Sequence, residues 1–202
     1  MSLETVTFKN EKAEYLIPSW NDLDSLTFDL AKRILEADEG FDVVVALAKG
    51  AWPMSRSFVD YLGIDQLASL GVRFYSGINQ RMAEPEVYQE LPVDVKGKKI
   101  LLFDDVADTG ESLVFVKKYL LKLGAKSVKT ATIFLKDRSI VKPDYSAAKT
   151  NAWIIFPFEL REMMSLLGES WLKTGIGKNE IVERFTQLKF PKEISNYFYP
   201  VK

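Results

Sequence analysis

The 202-residue chain contains neither cysteine nor histidine. Without cysteine there is no disulfide framework, no thiol nucleophile and no thiolate metal site. Without histidine the commonest zinc ligand and the commonest general base are both missing. Acid–base chemistry therefore falls to carboxylate, lysine, tyrosine or the substrate itself. The sequence also lacks any apolar run of the roughly 18 residues that a membrane span needs. Its start, Met1-Ser2-Leu3-Glu4, is neither basic nor followed by an apolar core, unlike a signal peptide. An excess of one charge is missing too: 27 Lys and Arg stand against 28 Asp and Glu, a formal net charge of −1. That balance points to no polyanionic partner. The expectation is a cytoplasmic protein that binds neither membrane nor nucleic acid.

What the chain does have, 47% hydrophobic and 27% charged residues, suits one compact domain with room for a small appendage. Short apolar runs alternate with amphipathic segments. Residues 41–47 read as a buried strand and 53–62 as the helix after it. Residues 100–103 read as a strand, 113–123 as a helix closed by Gly124, and 128–135 as a third strand. Upstream, Ser19-Trp20-Asn21-Asp22-Leu23 caps a helix to about residue 37, with Leu26, Leu30, Ile34 and Leu35 on its apolar face. This alternation predicts an α/β fold with a central parallel sheet flanked by helices.

Two segments break the pattern. Residues 71–97 hold a short strand over 72–75 and then a long polar stretch, which in a compact domain serves function or is disordered. From about residue 160, Trp171 and the turn Thr174-Gly175-Ile176-Gly177 precede Ile181, Val182, Phe185 and Leu188 at helical spacing. A DNA-reading helix–turn–helix is one reading. However, six Lys/Arg and four Glu between Glu169 and Lys202 leave a net of only +2. A helical extension over 161–202, packing on the core or on a partner subunit, fits better, with residues 1–160 as the main domain.

The most informative stretch is Ile100-Leu101-Leu102-Phe103-Asp104-Asp105-Val106-Ala107-Asp108-Thr109-Gly110-Glu111-Ser112-Leu113. It reads as a strand that stops at a turn, and a turn that opens a helix. Asp104 and Asp105 stand at the carboxyl end of the strand, where open parallel sheets bind ligands. Two unpaired buried carboxylates are too costly, so they need water, cations or hydroxyl donors. The backbone amides from Ala107 to Ser112, the hydroxyls of Thr109 and Ser112 and the helix N-terminus form an anion cradle, with Gly110 permitting close approach. Acids beside such a cradle suit a ligand that also carries sugar hydroxyls or Mg²⁺. The plain alternative is a strand, a turn and an N-cap made by Asp108, Thr109 or Ser112.

Three further turns follow strands. Ala46-Leu47-Ala48-Lys49-Gly50-Ala51-Trp52-Pro53 is a strand-to-helix turn, or a second anion loop with Lys49 at its tip. Phe134-Leu135-Lys136-Asp137-Arg138-Ser139 is a charge cluster, by default solvated. Asn151-Ala152-Trp153-Ile154-Ile155-Phe156-Pro157-Phe158-Glu159 reads first as core strand.

Residues 100–113 resemble the phosphoribosyl-pyrophosphate (PRPP) motif of the type I phosphoribosyltransferases, and the other loops extend that resemblance, in order, over about residues 20–159. It implies the fold of that family, with a small hood and here a helical C-terminal appendage. Asp104 and Asp105 would hold the ribose hydroxyls. Ala107, Asp108, Thr109, Gly110, Glu111 and Ser112 would cradle the 5-phosphate, and Asp108 would contact nitrogen 7 of a purine as acid or base. The loop at Ala48, Lys49 and Gly50 is similar to the pyrophosphate loop of the purine enzymes, which contains a non-proline cis peptide. Here that bond would be Ala48–Lys49, with Ala51 where many relatives have a second glycine. Lys136 would donate to a 6-oxo group, with Arg138 toward the pyrophosphate. Trp153 would stack on the base, the Ile154 and Ile155 backbone would read its edge, and Glu159, usually Asp in relatives, would sit near the metal. Tyr75, Ser76 and Arg81 resemble a mobile catalytic loop, with Phe74 where many relatives have serine.

The implied reaction joins a purine base to PRPP with Mg²⁺ held by Asp104, Asp105 and Glu159, partly through water. The products are a purine nucleoside monophosphate and pyrophosphate. The implied assembly is a homodimer or higher homo-oligomer. The polarity of Lys136 favours hypoxanthine, guanine or xanthine. Asp137, which could neutralise Lys136 or accept from an amino group, and Ile155, standing where xanthine-preferring enzymes have Glu, leave adenine as the alternative. A non-catalytic PRPP-binding regulator is a remoter one.

Overall fold

The computed structural model describes residues 3–9, 11–73, 76–77, 80–81 and 85–199. Tyr75 of the expected mobile loop lies outside the described residues. The strands are β1 (Thr5–Thr7), β2 (Glu14–Leu16), β3 (Val43–Ala48), β4 (Leu67–Arg73), β5 (Ser76–Gly77), β6 (Gln80–Arg81), β7 (Glu86–Gln89), β8 (Lys99–Ala107), β9 (Ser127–Leu135), β10 (Tyr145–Lys149) and β11 (Trp153–Ile154). The helices are α1 (Trp20–Glu36), α2 (Trp52–Leu62), α3 (Glu111–Lys122), α4 (Leu160–Lys173), α5 (Lys178–Gln187) and α6 (Lys192–Phe198). Contacts sort the described residues into two compact units. One runs from Leu23 to Thr150, and the other joins the residues up to Asp22 with those from Asn151 onward.

The first unit is built on a six-stranded sheet in the order β10-β9-β8-β3-β4-β7. All neighbours in it are parallel except β4 and the edge strand β7. Parallel strands covered on both faces read as continuous apolar runs, which is why residues 43–47 and 100–103 are apolar and buried. Helix α3 packs on β8 and β9, and α2 on β3 and β4. Val43, Val45, Leu47, Ile100, Leu102, Leu113, Val116 and Leu120 share one cluster. The topology has one consequence for function. From β3 the chain moves to β4 on one side, then returns to β8 on the other, so the strand order reverses between β3 and β8. In open α/β sheets that reversal opens a crevice at the carboxyl ends of the two strands.

The other unit has the small sheet β1-β2-β11 and the helices α4, α5 and α6. The tail thus shares an apolar cluster with the N-terminal strands: Phe8, Tyr15, Ile155, Met163, Trp171, Ile181 and Phe185. Within it lies Arg184, its side chain 8% exposed, ion-paired to Glu11 and Glu180. Its guanidinium lies over the rings of Phe8 and Trp171, at 4.7 and 5.2 Å from their centroids. Breaking a buried pair on one side leaves an uncompensated charge. Arg184→Met should therefore lower stability by about 3 kcal/mol, and adding Glu11→Gln should recover part of the loss. Urea unfolding of the single and double variants checks both.

Candidate functional site

Strand β8 runs further than the sequence suggests. Apolar character stops at Phe103, but pairing with β9 continues through Asp104↔Thr132, Val106↔Phe134 and Ala107↔Leu135. Ladder hydrogen bonds to β9 hold the backbone extended where side-chain pattern alone indicates a turn. Asp104, Asp105 and Ala107 therefore belong to the strand, the turn is only Asp108, Thr109 and Gly110, and α3 opens at Glu111 rather than Leu113.

The turn has the geometry of an anion cradle. Gly110 takes φ +80°, and a Cβ there would meet Ser139 Oγ at 2.5 Å and Val141 Cγ1 at 2.7 Å, so both conformation and space require glycine. No side chain of Asp108, Thr109 or Ser112 caps α3 at Gly110; the one local contact is the Glu111 amide donating to Thr109 Oγ1 at 3.4 Å. Among the described residues, the amides of Asp108, Thr109, Gly110 and Ser112 have no hydrogen-bond partner. Free amides at a helix N-terminus favour an anion.

The two adjacent acids differ from Asp108 in their electrostatics. Burial pushes the Asp104 carboxyl well above the ordinary carboxylate range, and the charge of Asp105 adds to it; burial raises Asp105 as well. The two side chains interact with each other, and each accepts from nearby backbone, Asp105 N–H onto Asp104 Oδ1 at 3.0 Å and Val106 N–H onto Asp105 Oδ1 at 2.8 Å. No cationic side chain among the described residues pairs with either. Asp108 is the opposite case. The Arg138 guanidinium grips both of its oxygens. Lys136 Nζ lies 3.6 Å from Asp108 Oδ2. Arg138 foremost, with Lys136, holds the Asp108 carboxyl below its usual range. Arg138 is thus committed to Asp108 here, on the Lys136 side of the crevice. The segment carrying these cations is tied down by the Lys136 amide on Ala107 O at 3.1 Å and the Ile140 amide on Thr109 O at 2.8 Å. Asp137 is exposed between the two cations.

The turn after β3 faces this one across the reversal. The Ala48–Lys49 peptide is cis. The Ala51 amide closes on Leu47 O and the Trp52 amide on Lys49 O, both at 3.1 Å, while the Lys49 and Gly50 amides have no partner among the described residues. A Cβ on Gly50 would lie 2.6 Å from the Asp105 carboxyl. The glycine backbone therefore seats directly against that acid, a juxtaposition the sequence does not announce. Asp104, Asp105, Asp108, Lys49, Gly50, Lys136 and Arg138 all lie in the Leu23–Thr150 unit.

Trp153, Ile154, Ile155 and Glu159 belong to the other unit. Trp153 pairs with Tyr15 and is 44% exposed, as a stacking platform requires. Ile154 and Ile155 are buried. The Ile155 amide donates to Leu16 O at 2.8 Å, so sheet pairing occupies that one donor of the backbone expected to read a base edge. Glu159 immediately precedes α4, its carbonyl accepting from the Met163 amide at 2.9 Å. Ser76 and Arg81 are backbone partners in the β5–β6 hairpin. Among the described residues no three acidic side chains converge as a metal cage. A pair of half-buried carboxylates with no cationic side chain paired to it among the described residues nevertheless fits a cation that keeps much of its own water.

Comparison with known proteins agrees with this geometry. A family model for the phosphoribosyl transferase domain matches residues 19–162. The solved purine phosphoribosyltransferase of Pyrococcus horikoshii is 32% identical, with TM-score 0.64, over 71% of this chain and 93% of that one. A hypoxanthine-guanine phosphoribosyltransferase of Aquifex aeolicus is 31% identical over 128 residues, 59% of this chain and 68% of that protein. A ribose-phosphate pyrophosphokinase of Pyrococcus furiosus is 30% identical over 130 residues, 62% of this chain but only 39% of that longer protein. Since the family match contains every turn that meets at the strand reversal, the chain belongs to the phosphoribosyltransferase family of enzymes.

Proposed function

We propose that this enzyme joins a purine base to PRPP, releasing a purine nucleoside monophosphate and pyrophosphate, in nucleotide salvage. The observation that carries this reading is the Lys136 ammonium 3.6 Å from the Asp108 carboxylate, beside an anion cradle. A 6-oxopurine offers an acceptor to the one and an imidazole proton to the other. The cradle from Ala107 to Ser112 would hold the 5-phosphate, and Asp104 and Asp105 would accept from the ribose hydroxyls, fixing the sugar for in-line displacement. The Ala48, Lys49 and Gly50 turn would receive the leaving pyrophosphate through Lys49 and the free amides. Carbon 1 loses its bond to the pyrophosphate oxygen as nitrogen 9 bonds to it, and Asp108, ionised at neutral pH, takes up the imidazole proton. Mg²⁺ would be held by Asp104 and Asp105, partly through water, and would supply charge neutralisation for the departing anion. Hypoxanthine, guanine and xanthine are the favoured bases, because a buried donor facing the wrong group at position 6 discriminates strongly.

Adenine is the second reading. Asp137 directly follows Lys136, and the fully buried Ile155 offers no side chain to the purine 2-position. Pyrophosphate release with PRPP, Mg²⁺ and each of adenine, hypoxanthine, guanine and xanthine separates the cases. Turnover of a 6-oxopurine is expected. Turnover of adenine alone would overturn the preferred base, and release with none of the four would point to a non-catalytic PRPP-binding protein.

A further inference from the structure

The edge strand β7 braces the turn after β3 at both of its ends. At one end the Tyr88 hydroxyl donates to the Ala48 carbonyl at 3.4 Å. At the other, the indole N–H of Trp52 donates to Ser69 Oγ at 2.7 Å, and the Gln89 side-chain amide donates to the same oxygen at 2.8 Å. The turn from Ala48 to Trp52 is thus anchored through β4 to two consecutive residues of β7. The fit around Tyr88 is specific. A Cβ on Gly71 would lie 2.5 Å from its ring, so a glycine in the middle of β4 makes the space the ring occupies. The register shift between Gly71 and Val72 sits at the same place. From outside, the Arg73 guanidinium lies over the ring, 5.0 Å from its centroid, where attraction to the π face helps hold it. Apolar packing does not explain this arrangement, because Tyr88 is 40% exposed.

We infer that Tyr88 is a positioning residue for the diphosphate end of the substrate, acting through the Ala48 carbonyl on the turn that carries Lys49 and Gly50. This rests on the reading that this turn receives pyrophosphate. A carbonyl held by a side-chain donor fixes the peptide plane that follows it, and with it the direction in which the next amides point. Loops that bind anions by backbone amides depend on that direction. Hydrogen bonds of this kind are often long before ligand binds and tighten in the complex.

The test measures binding of inorganic pyrophosphate with Mg²⁺, and separately of ribose 5-phosphate, by calorimetry. The proteins are the full chain and its Tyr88→Phe, Gly71→Ala and Lys49→Ala variants. Loss of one hydrogen bond corresponds to a roughly three- to tenfold weakening. Tyr88→Phe, which keeps the ring and the stack with Arg73, should weaken pyrophosphate by about that factor and leave ribose 5-phosphate unchanged. Gly71→Ala, by displacing the ring, should do the same. Equal weakening of both ligands would make Tyr88 a fold element and overturn the proposal, as would unaltered pyrophosphate binding in Tyr88→Phe while Lys49→Ala loses it. If Lys49→Ala also binds pyrophosphate like the parent chain, the assignment of the turn itself falls, and this inference falls with it.

Discussion

Replacing Asp104 and Asp105 together by asparagine should make the protein more stable at neutral pH and nearly unable to use PRPP. Both carboxyls have folded-state values raised by burial. A raised group binds its proton more tightly in the fold than in the unfolded chain. Its contribution is fully present below the unfolded value and is lost as pH rises through the folded one. The parent chain should therefore melt at a lower temperature at pH 7 than near pH 5, and the double variant should lose that part of the pH dependence. A gain in stability, read as a higher melting temperature of the double variant, is expected at pH 7. PRPP binding moves the other way. Two hydrogen bonds to charged acceptors, at about 1.5–3 kcal/mol each, translate into a fall of about 10²–10⁴-fold in kcat/KM. Unchanged PRPP affinity would show that the ribose sits elsewhere. A fall in stability would show that the pair holds the fold rather than the substrate.

The second large effect concerns Lys136. Its side chain is 11% exposed, so it donates from a largely dry position. Lys136→Met keeps the aliphatic volume and removes the donor. For a 6-oxopurine, kcat/KM should fall by about 10²–10³-fold, whereas any turnover of adenine should fall less. The pH profile gives an independent readout. Arg138 and Lys136 both hold Asp108 low, so removing one cation lets its value rise. The acid limb of the rate profile should then move to higher pH, with Arg138 still limiting the shift. An equal loss with adenine and hypoxanthine would remove Lys136 from base recognition.

Much of the parallel sheet is legible because its central strands are buried on both faces and its helices are not. The apolar runs at 41–47, 100–103 and 128–135 correspond to β3, β8 and β9, and the amphipathic segments between them to α2 and α3. The edges are less legible. The sequence Tyr-Ser-Ala-Ala-Lys of β10 has little strand preference and is extended because β9 offers it a parallel partner. Of β4 only Val72 and Arg73 fall within the strand expected at 72–75, whose last two residues lie outside the described residues, and the two or three residues of β1, β2 and β11 are too short to show a period. The apolar positions of the tail show that its helices need a cover, but not that the N-terminal strands provide it.

For the site, residue types and chain order were determined by sequence alone: two acids ending an apolar run, a glycine-containing turn before a helix, and a lysine after each of two strands. Local composition is sufficient for these, because strand, turn and helix start each have their own residue chemistry. Which groups meet was decided by the tertiary structure. Gly50 against Asp105, Arg138 on Asp108, the Ile155 amide spent on Leu16 and Tyr88 reaching Ala48 all join residues far apart in sequence or in different elements. Their proximity comes from strand order and register, above all the reversal between β3 and β8, and no local stretch of sequence encodes it.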